Sequence, residues 1–296
     1  MSHAILVEGL VKTFRGFRKV PLKAVDDVSF TIAEGEAFGF IGPNGAGKST
    51  TIKIMTGVLR ASAGKVSLFD IPVEQPQARV RLGYVPENPY LYDYLTPREI
   101  LLMGMSLHGL KVADPQAHCL KWLERLELGS VAKRQIRFFS KGMTQRVAIA
   151  HALCLQPRLL ILDEPLSGLD PVGRRDVVDI LAEYKRSGGT LFFTSHVLHD
   201  VERLADRFGL IHKGQLRAVQ SPAELAGGTD LVQVRSMGTA AVAGAKSDFA
   251  ERWSTEVTRD DLWRKLDELR MAGHSIIEIR PTLSLESAFM RAIGKE

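Results

Sequence analysis

The chain predicts an α/β fold built on a mostly parallel sheet, and three stretches carry the prediction. The first is Gly42-Pro43-Asn44-Gly45-Ala46-Gly47-Lys48-Ser49-Thr50, a G-x-x-x-x-G-K-[ST] spacing set between the apolar run 36–41 and a second apolar stretch, 51–57. The second is the alternation of short apolar runs with helix-like segments through residues 36–196, which calls for parallel strands joined by crossovers. The third is Leu159-Leu160-Ile161-Leu162-Asp163-Glu164-Pro165, a buried strand that leaves the core through two adjacent carboxylates.

Each element follows from local chemistry. Residues 5–7 and 28–32 read as strands, the latter alternating apolar and polar. Between them, Thr13-Phe14-Arg15-Gly16-Phe17-Arg18-Lys19 mixes aromatic and basic groups. Its aromatic rings suit either stacking on a planar base or packing on their own hairpin, and the residues alone favour the hairpin. The run 36–41, bounded by Gly35 and Gly42, reads as a buried strand feeding the glycine-rich loop. In that loop Gly42, Gly45 and Gly47 let backbone N–H groups approach a phosphate with no Cβ in the way. Lys48 adds a point charge, Ser49 a hydroxyl for a divalent cation, and the helix opening near Gly47 aims its partly positive end at the anion.

Strands are expected over 64–69 and 82–87, the second ending at Pro86, with Glu87 at the sheet's ligand-binding edge. From about 88 to 157 the composition turns helical. Thr96-Pro97-Arg98-Glu99 joins a capping threonine, a proline at the first helical position and a glutamate three residues on, so a helix should run from 97 to about 108. A second is expected over 116–126 with Leu120, Leu123 and Leu126 inward, and a third opens at Ser140-Lys141-Gly142-Met143. Ser140 and Gly142 at that helix start form another phosphate-binding edge. A helix over 172–185 and a strand over 190–196 follow, the strand ending in His196 beside the other candidates. Behind a phosphate loop, Asp163 suits a metal ligand and Glu164 a base or water-orienting group.

Composition narrows the class. The chain has 296 residues, 45% hydrophobic and 25% charged, enough for one large domain and a small one. A net charge of +5 suits an anionic ligand, nucleic acid or membrane surface, and equally an ordinary basic exterior. Cys119 and Cys154 form no disulfide framework and read as buried fillers in a reducing compartment. The N-terminus lacks a secretory pattern and no window reaches the ~18 apolar residues of a membrane span, so a membrane role is expected only through a partner.

Taken together, from about Ala4 to Pro222, these motifs resemble the nucleotide-binding subunit of an ATP-binding cassette (ABC) transporter. The resemblance implies a P-loop NTPase core with a mostly parallel sheet, an N-terminal antiparallel β subdomain, an inserted helical subdomain at about 88–157, and a small C-terminal α/β accessory domain at 223–296 after an ABC ATPase domain at 1–222. It makes residues 42–49 the Walker A motif, 160–164 Walker B with Glu164 catalytic, 167–170 the D-loop with Asp170, and His196 the switch histidine. It assigns Phe14, with Phe17 a weaker choice, to the adenine, and residues 42–50 to the phosphates of ATP. Mg²⁺ falls to Ser49, Asp163 and Glu87, and the nucleotide of an opposite subunit to Ser140 and Gly142. Two departures stand out: Phe139-Ser140-Lys141-Gly142-Met143 replaces Leu-Ser-Gly-Gly-Gln, and Glu87 replaces the Q-loop glutamine. Both resemble the branch serving ABC-2-type exporters. The implied partners are transmembrane permease subunits and a second cassette, identical or not, at the cytoplasmic face of the cell membrane, with no nucleic acid. Within the family an importer ATPase is a rival, and so is a soluble ABC ATPase acting on ribosomes or nucleic acid. The latter would need a second cassette or a coiled-coil insertion that this sequence lacks.

After residue 222 the sequence suggests a linker at Ala226-Gly227-Gly228-Thr229, strands over 231–234 and 276–279, and an amphipathic helix over 260–271 with Leu262, Trp263, Leu266 and Leu269 inward.

Overall fold

The structure is a computed structural model that describes residues 3–15, 21–222, 224, 231–249 and 251–281. The Phe17 candidate, the linker at 226–229 and the tail beyond 281 lie outside the described residues. The chain forms two compact units, Met1–Val219 and Gln220–Glu296.

The first unit opens with a long hairpin, β1 (His3–Arg15) and β2 (Pro21–Ala33), in place of two short strands. With β4 (Ala63–Leu68) and β5 (Ile71–Pro72) it makes an antiparallel sheet of order β2-β1-β4-β5. The second sheet contains β3 (Ala37–Ile41), β6 (Leu82–Val85), β7 (Leu159–Leu162), β8 (Thr190–Ser195), β9 (Arg207–His212) and β10 (Gln215–Gln220), in the order β10-β9-β3-β8-β7-β6. The β9–β3, β3–β8, β8–β7 and β7–β6 pairs are parallel, as expected of strands joined by helices. The central strands β3, β7 and β8 are buried along their whole length, which is why they read as unbroken apolar runs. Phe30 of the antiparallel sheet packs on Phe38, Phe40 and Phe192 of the parallel one, with ring centroids 5.5–6.1 Å apart. The main core therefore lies between the two sheets, sealed by Ile52, Ile54 and Met55 of α1 (Lys48–Met55).

The helical layer holds α2 (Pro97–Leu107), α3 (Pro115–Arg125) and α4 (Lys141–Cys154), packed on one another. α2 begins at the expected capping box: the Thr96 hydroxyl accepts from Glu99 N–H while the Glu99 carboxylate accepts from Thr96 N–H. Asp114 and Ser140 cap α3 and α4 by accepting from Ala117 N–H and Met143 N–H. In α3 the inward stripe is Cys119, Leu123 and Leu126, while Leu120 is 39% exposed and turns outward. The helix is set by a 119–123–126 repeat, which leaves 120 about a quarter-turn off the buried face. Cys119 and Cys154 are free and buried, as fillers. α5 (Pro171–Arg186) and α6 (Leu198–Leu204) complete the unit.

In the second unit, β11 (Leu231–Met237), β12 (Lys246–Phe249), β13 (Arg252–Thr258) and β14 (Ser275–Pro281) form a sheet of order β12-β13-β11-β14, and α7 is Leu262–Met271. Leu269 is fully buried there but Trp263 is 76% exposed, against the sequence expectation. Residues 262, 266 and 269 share one face, and 263 falls about 100° away from 262.

Candidate functional site

Four parallel strands deliver the candidate residues to one edge. β3 ends in the glycine-rich loop, β6 leads through Pro86 to Glu87, β7 runs into Asp163 and Glu164, and β8 ends before His196. Their register keeps these ends level: Ile41 lies beside Ser195, and Leu162 beside both Phe193 and Val85.

At that edge opens a cleft of about 540 Å³, lined by every residue from Pro43 to Thr50 together with Phe14, Glu87, Glu164 and His196. Gly47 serves as N-cap of α1 at φ 112°, and a Cβ there would sit 2.5 Å from the Ala24 carbonyl oxygen. Only glycine fits both demands. Lys48 is 6% exposed, donates to the Gly42 carbonyl at 2.7 Å, and lies 3.3 Å from Glu164 Oε1. The other Glu164 oxygen, Oε2, stands 2.7 Å from His196 Nδ1. One carboxylate thus spans a buried ammonium and an exposed imidazole at the floor of the cleft.

Glu164 adopts φ 51°, a left-handed conformation unusual for a side-chain-bearing residue. Its N–H donates to Thr194 Oγ1 at 2.8 Å, and the same hydroxyl donates to Asp163 Oδ1 at 2.7 Å. Asp163 is 3% exposed, beneath the cleft rather than among its lining residues. Burial, and next the Asp163 charge, push the Tyr84 phenol up to about 12, so it stays a neutral neighbour.

Phe14 pairs with Leu22 across the hairpin, and both residues line the cleft. The Lys12 ammonium lies 5.1 Å from its ring centroid. Ser140, Gly142 and Asp170 are not among the cleft-lining residues; they stand at the starts of α4 and α5. Asp170 caps α5 by accepting from Gly173 N–H.

The sequence reading missed Thr194, Leu22 and Ala24, and named Ser167 only as the start of the D-loop. Leu22, Ala24 and Ser167 line the cleft, and Thr194 fixes both carboxylate-bearing residues. A polar residue within the apolar run Leu191-Phe192-Phe193-Thr194 was the available signal for Thr194.

Comparison with known proteins identifies the family. The family model described as ABC transporter matches residues 25–167. An uncharacterized ABC transporter ATP-binding protein of Synechocystis is 41% identical over 215 residues, 72% of this chain; the chain spans 61% of that protein's length. A corresponding protein of Nostoc is 36% identical over 284 residues, covering 90% of this chain and 82% of its own length. The linearmycin resistance ATP-binding protein of Bacillus subtilis is 36% identical over 72% of this chain and 70% of its own. Among solved structures, an ATP binding subunit of an ABC transporter superposes with a TM-score of 0.69 at 31% identity, over 76% of this chain and 92% of the other. With the phosphate loop, Glu164 and the strand-end histidine around one cleft, the chain belongs to the ABC transporter ATP-binding subunits, a family of ATPases.

Proposed function

We propose that this chain is the ATP-hydrolysing subunit of an export system, working as a pair of cassettes attached to ABC-2-type transmembrane permease subunits at the cytoplasmic face of the cell membrane. The convergence of Lys48 and His196 on the two oxygens of Glu164, beneath the glycine-rich loop, carries the reading. Residues 1–222 are the cassette, with 88–157 its helical part, and 223–296 an accessory domain.

In this reading Phe14 takes the adenine, and the backbone N–H groups of residues 42–50, the α1 N-terminus and Lys48 take the phosphates. Ser49, Asp163 and Glu87 would hold Mg²⁺. They are hard oxygen donors, which suits the ion, and among the described residues no cluster of three His, Cys, Asp or Glu side chains could hold a metal alone, so a hydroxyl and phosphate oxygens must complete the set. When bound, the ion neutralises charge on the outer phosphates. Glu164 accepts a proton from the water that attacks the γ-phosphorus while the bond from that phosphorus to the β–γ bridging oxygen breaks and ADP leaves. His196, within 2.7 Å of the same carboxylate, orients it and reaches the γ-phosphate. Ser140 and Gly142, away from this chain's own cleft, meet the nucleotide of the second copy, and Asp170 meets the facing D-loop.

Support for export comes from the linearmycin resistance relative and from the two motif departures at Glu87 and at Ser140-Lys141-Gly142. Among the described residues no helix is long and apolar enough to cross a membrane, so attachment falls to the permease. Tyr90, Tyr92 and Tyr94, all more than half exposed just beyond Glu87, offer the permease an aromatic docking surface linked to the cleft.

The test is co-purification from detergent-solubilised membranes, with phosphate release measured on the recovered complex. A stoichiometric polytopic membrane protein and ATP-dependent phosphate release are expected. Ribosomes, nucleic acid or soluble partners in its place would overturn the export reading.

A further inference from the structure

The Glu164 backbone is strained, and strain persists only where neighbours hold it. Thr194 pins the peptide on its N-terminal side. On the other side the hold comes from α4. Gln145, fully buried, donates from Nε2 to the Pro165 carbonyl at 3.1 Å. The next residue, Arg146, reaches Asp170 Oδ1 with Nη2 at 3.3 Å and Glu127 Oε2 with Nη1 at 2.8 Å. Consecutive side chains of one helix therefore grip the first and last residues of the segment 165–170, whose Ser167 lines the cleft.

The grip is built in. The Arg146 side chain is 16% exposed, against 62% for Asp170 and 58% for Glu127, so the guanidinium is the buried centre of the ion-paired set. Residue 173 is glycine because the guanidinium passes over it: a Cβ there would lie 2.5 Å from Arg146 Nη2 and 2.7 Å from Asp170 Oδ1. Gln145 Oε1 and Arg146 Nε are buried without partners among the described residues. Polar groups left unsatisfied in the interior cost stability, so neither side chain is explained by stability alone.

We propose that Gln145 and Arg146 are positioning residues for hydrolysis, a two-point clamp from α4 that holds residues 165–170 and thereby sets the Glu164 carboxylate. The inference rests on the proposed catalytic use of Glu164, but the clamp has a readout that does not. In Gln145→Met and Arg146→Lys, amide hydrogen exchange across residues 166–170 should quicken about tenfold while strands β3 and β8 keep their protection, a local loosening well below global unfolding. On the complex, kcat for ATP should fall about tenfold or more with KM within about twofold, the pattern of an interaction felt in the transition state. Should Arg146→Lys not fold, Asp170→Asn keeps the cap on Gly173 and removes the ionic half of the clamp. Unchanged exchange over 166–170 in folded variants overturns the clamp. Faster exchange with an unaltered kcat overturns its part in hydrolysis, and faster exchange in the variants alongside a wild-type complex that releases no phosphate overturns instead the proposed function beneath it.

Discussion

Glu164 brings the chemistry of the cleft to one residue. A left-handed backbone at a non-glycine position costs ~1–3 kcal/mol, and here it turns the carboxylate between Lys48 and His196 instead of letting β7 continue. Glu164→Gln keeps the shape and the hydrogen-bonding reach but cannot take a proton. It should lower ATP turnover by about 10²–10⁴-fold while leaving ATP binding in place, since in the proposed reading the loop and Lys48 take the phosphates. Phosphate release and equilibrium binding of ATP to the variant check both halves, and turnover near wild type would remove Glu164 from the proton transfer. The residues of this site were legible in the sequence where their chemistry is tied to local backbone shape: glycines before Lys48, and carboxylates at the end of an apolar strand. Thr194 was not, because it meets Asp163 and Glu164 only after β7 and β8 pair, about thirty residues away along the chain. Gln145 and Arg146 were hidden for the same reason, reading locally as ordinary polar residues of a helix.

At the scale of elements, α2 is a case where sequence and structure coincide. The capping box joins Thr96 and Glu99, and the backbone N–H and hydroxyl of Thr96 hold the Glu99 carboxyl below its ordinary value. Thr96→Ala removes the cap and should cost about 1 kcal/mol. In a unit of this size that corresponds to a midpoint lower by ~2–4 °C, readable by calorimetry. α4 carries a different dependence. Burial, and next the neighbouring His108, hold the His151 pKa below its ordinary 6.5, and Gly104 leaves space for the ring: a Cβ there would lie 2.2 Å from Nε2. Below about pH 6.5 the unfolded chain takes a proton that the folded one refuses, so this contribution is present above that pH and is lost as pH falls towards the folded value. Urea unfolding of wild type and His151→Gln at about pH 7.5 and 5.5 should show wild type losing more on acidification; equal losses would exclude His151 as the source. Elements stabilised by their own residues were visible beforehand. β9 and β10 were not, since Arg207–His212 is defined by its place beside β3. The inward faces of α3 and α7 were mistaken at Leu120 and Trp263 because an apolar residue next to a stripe looks like part of it until packing decides.

For the whole molecule, the two units differ in what they bury. In the first, a continuous core joins both sheets and α1, and every cleft-lining residue lies between Phe14 and His196 on strands, loops and the first turn of α1 in that unit. In the second, Val232, Val234 and Leu269 are the buried apolar side chains among the described residues, with Ile276, Ile277 and Ile279 of β14 each at least 40% exposed. A chain ended at Pro222 keeps β10 at the edge of the parallel sheet and loses nothing that lines the cleft. It should therefore fold and bind ATP with a dissociation constant within about twofold of the full chain, a difference of about 0.4 kcal/mol. Isothermal titration of both chains with ATP decides it. A loss of tenfold or more would mean that residues 223–296 support the nucleotide site, and the proposed accessory domain would then have to be counted as part of the cassette rather than as an addition to it.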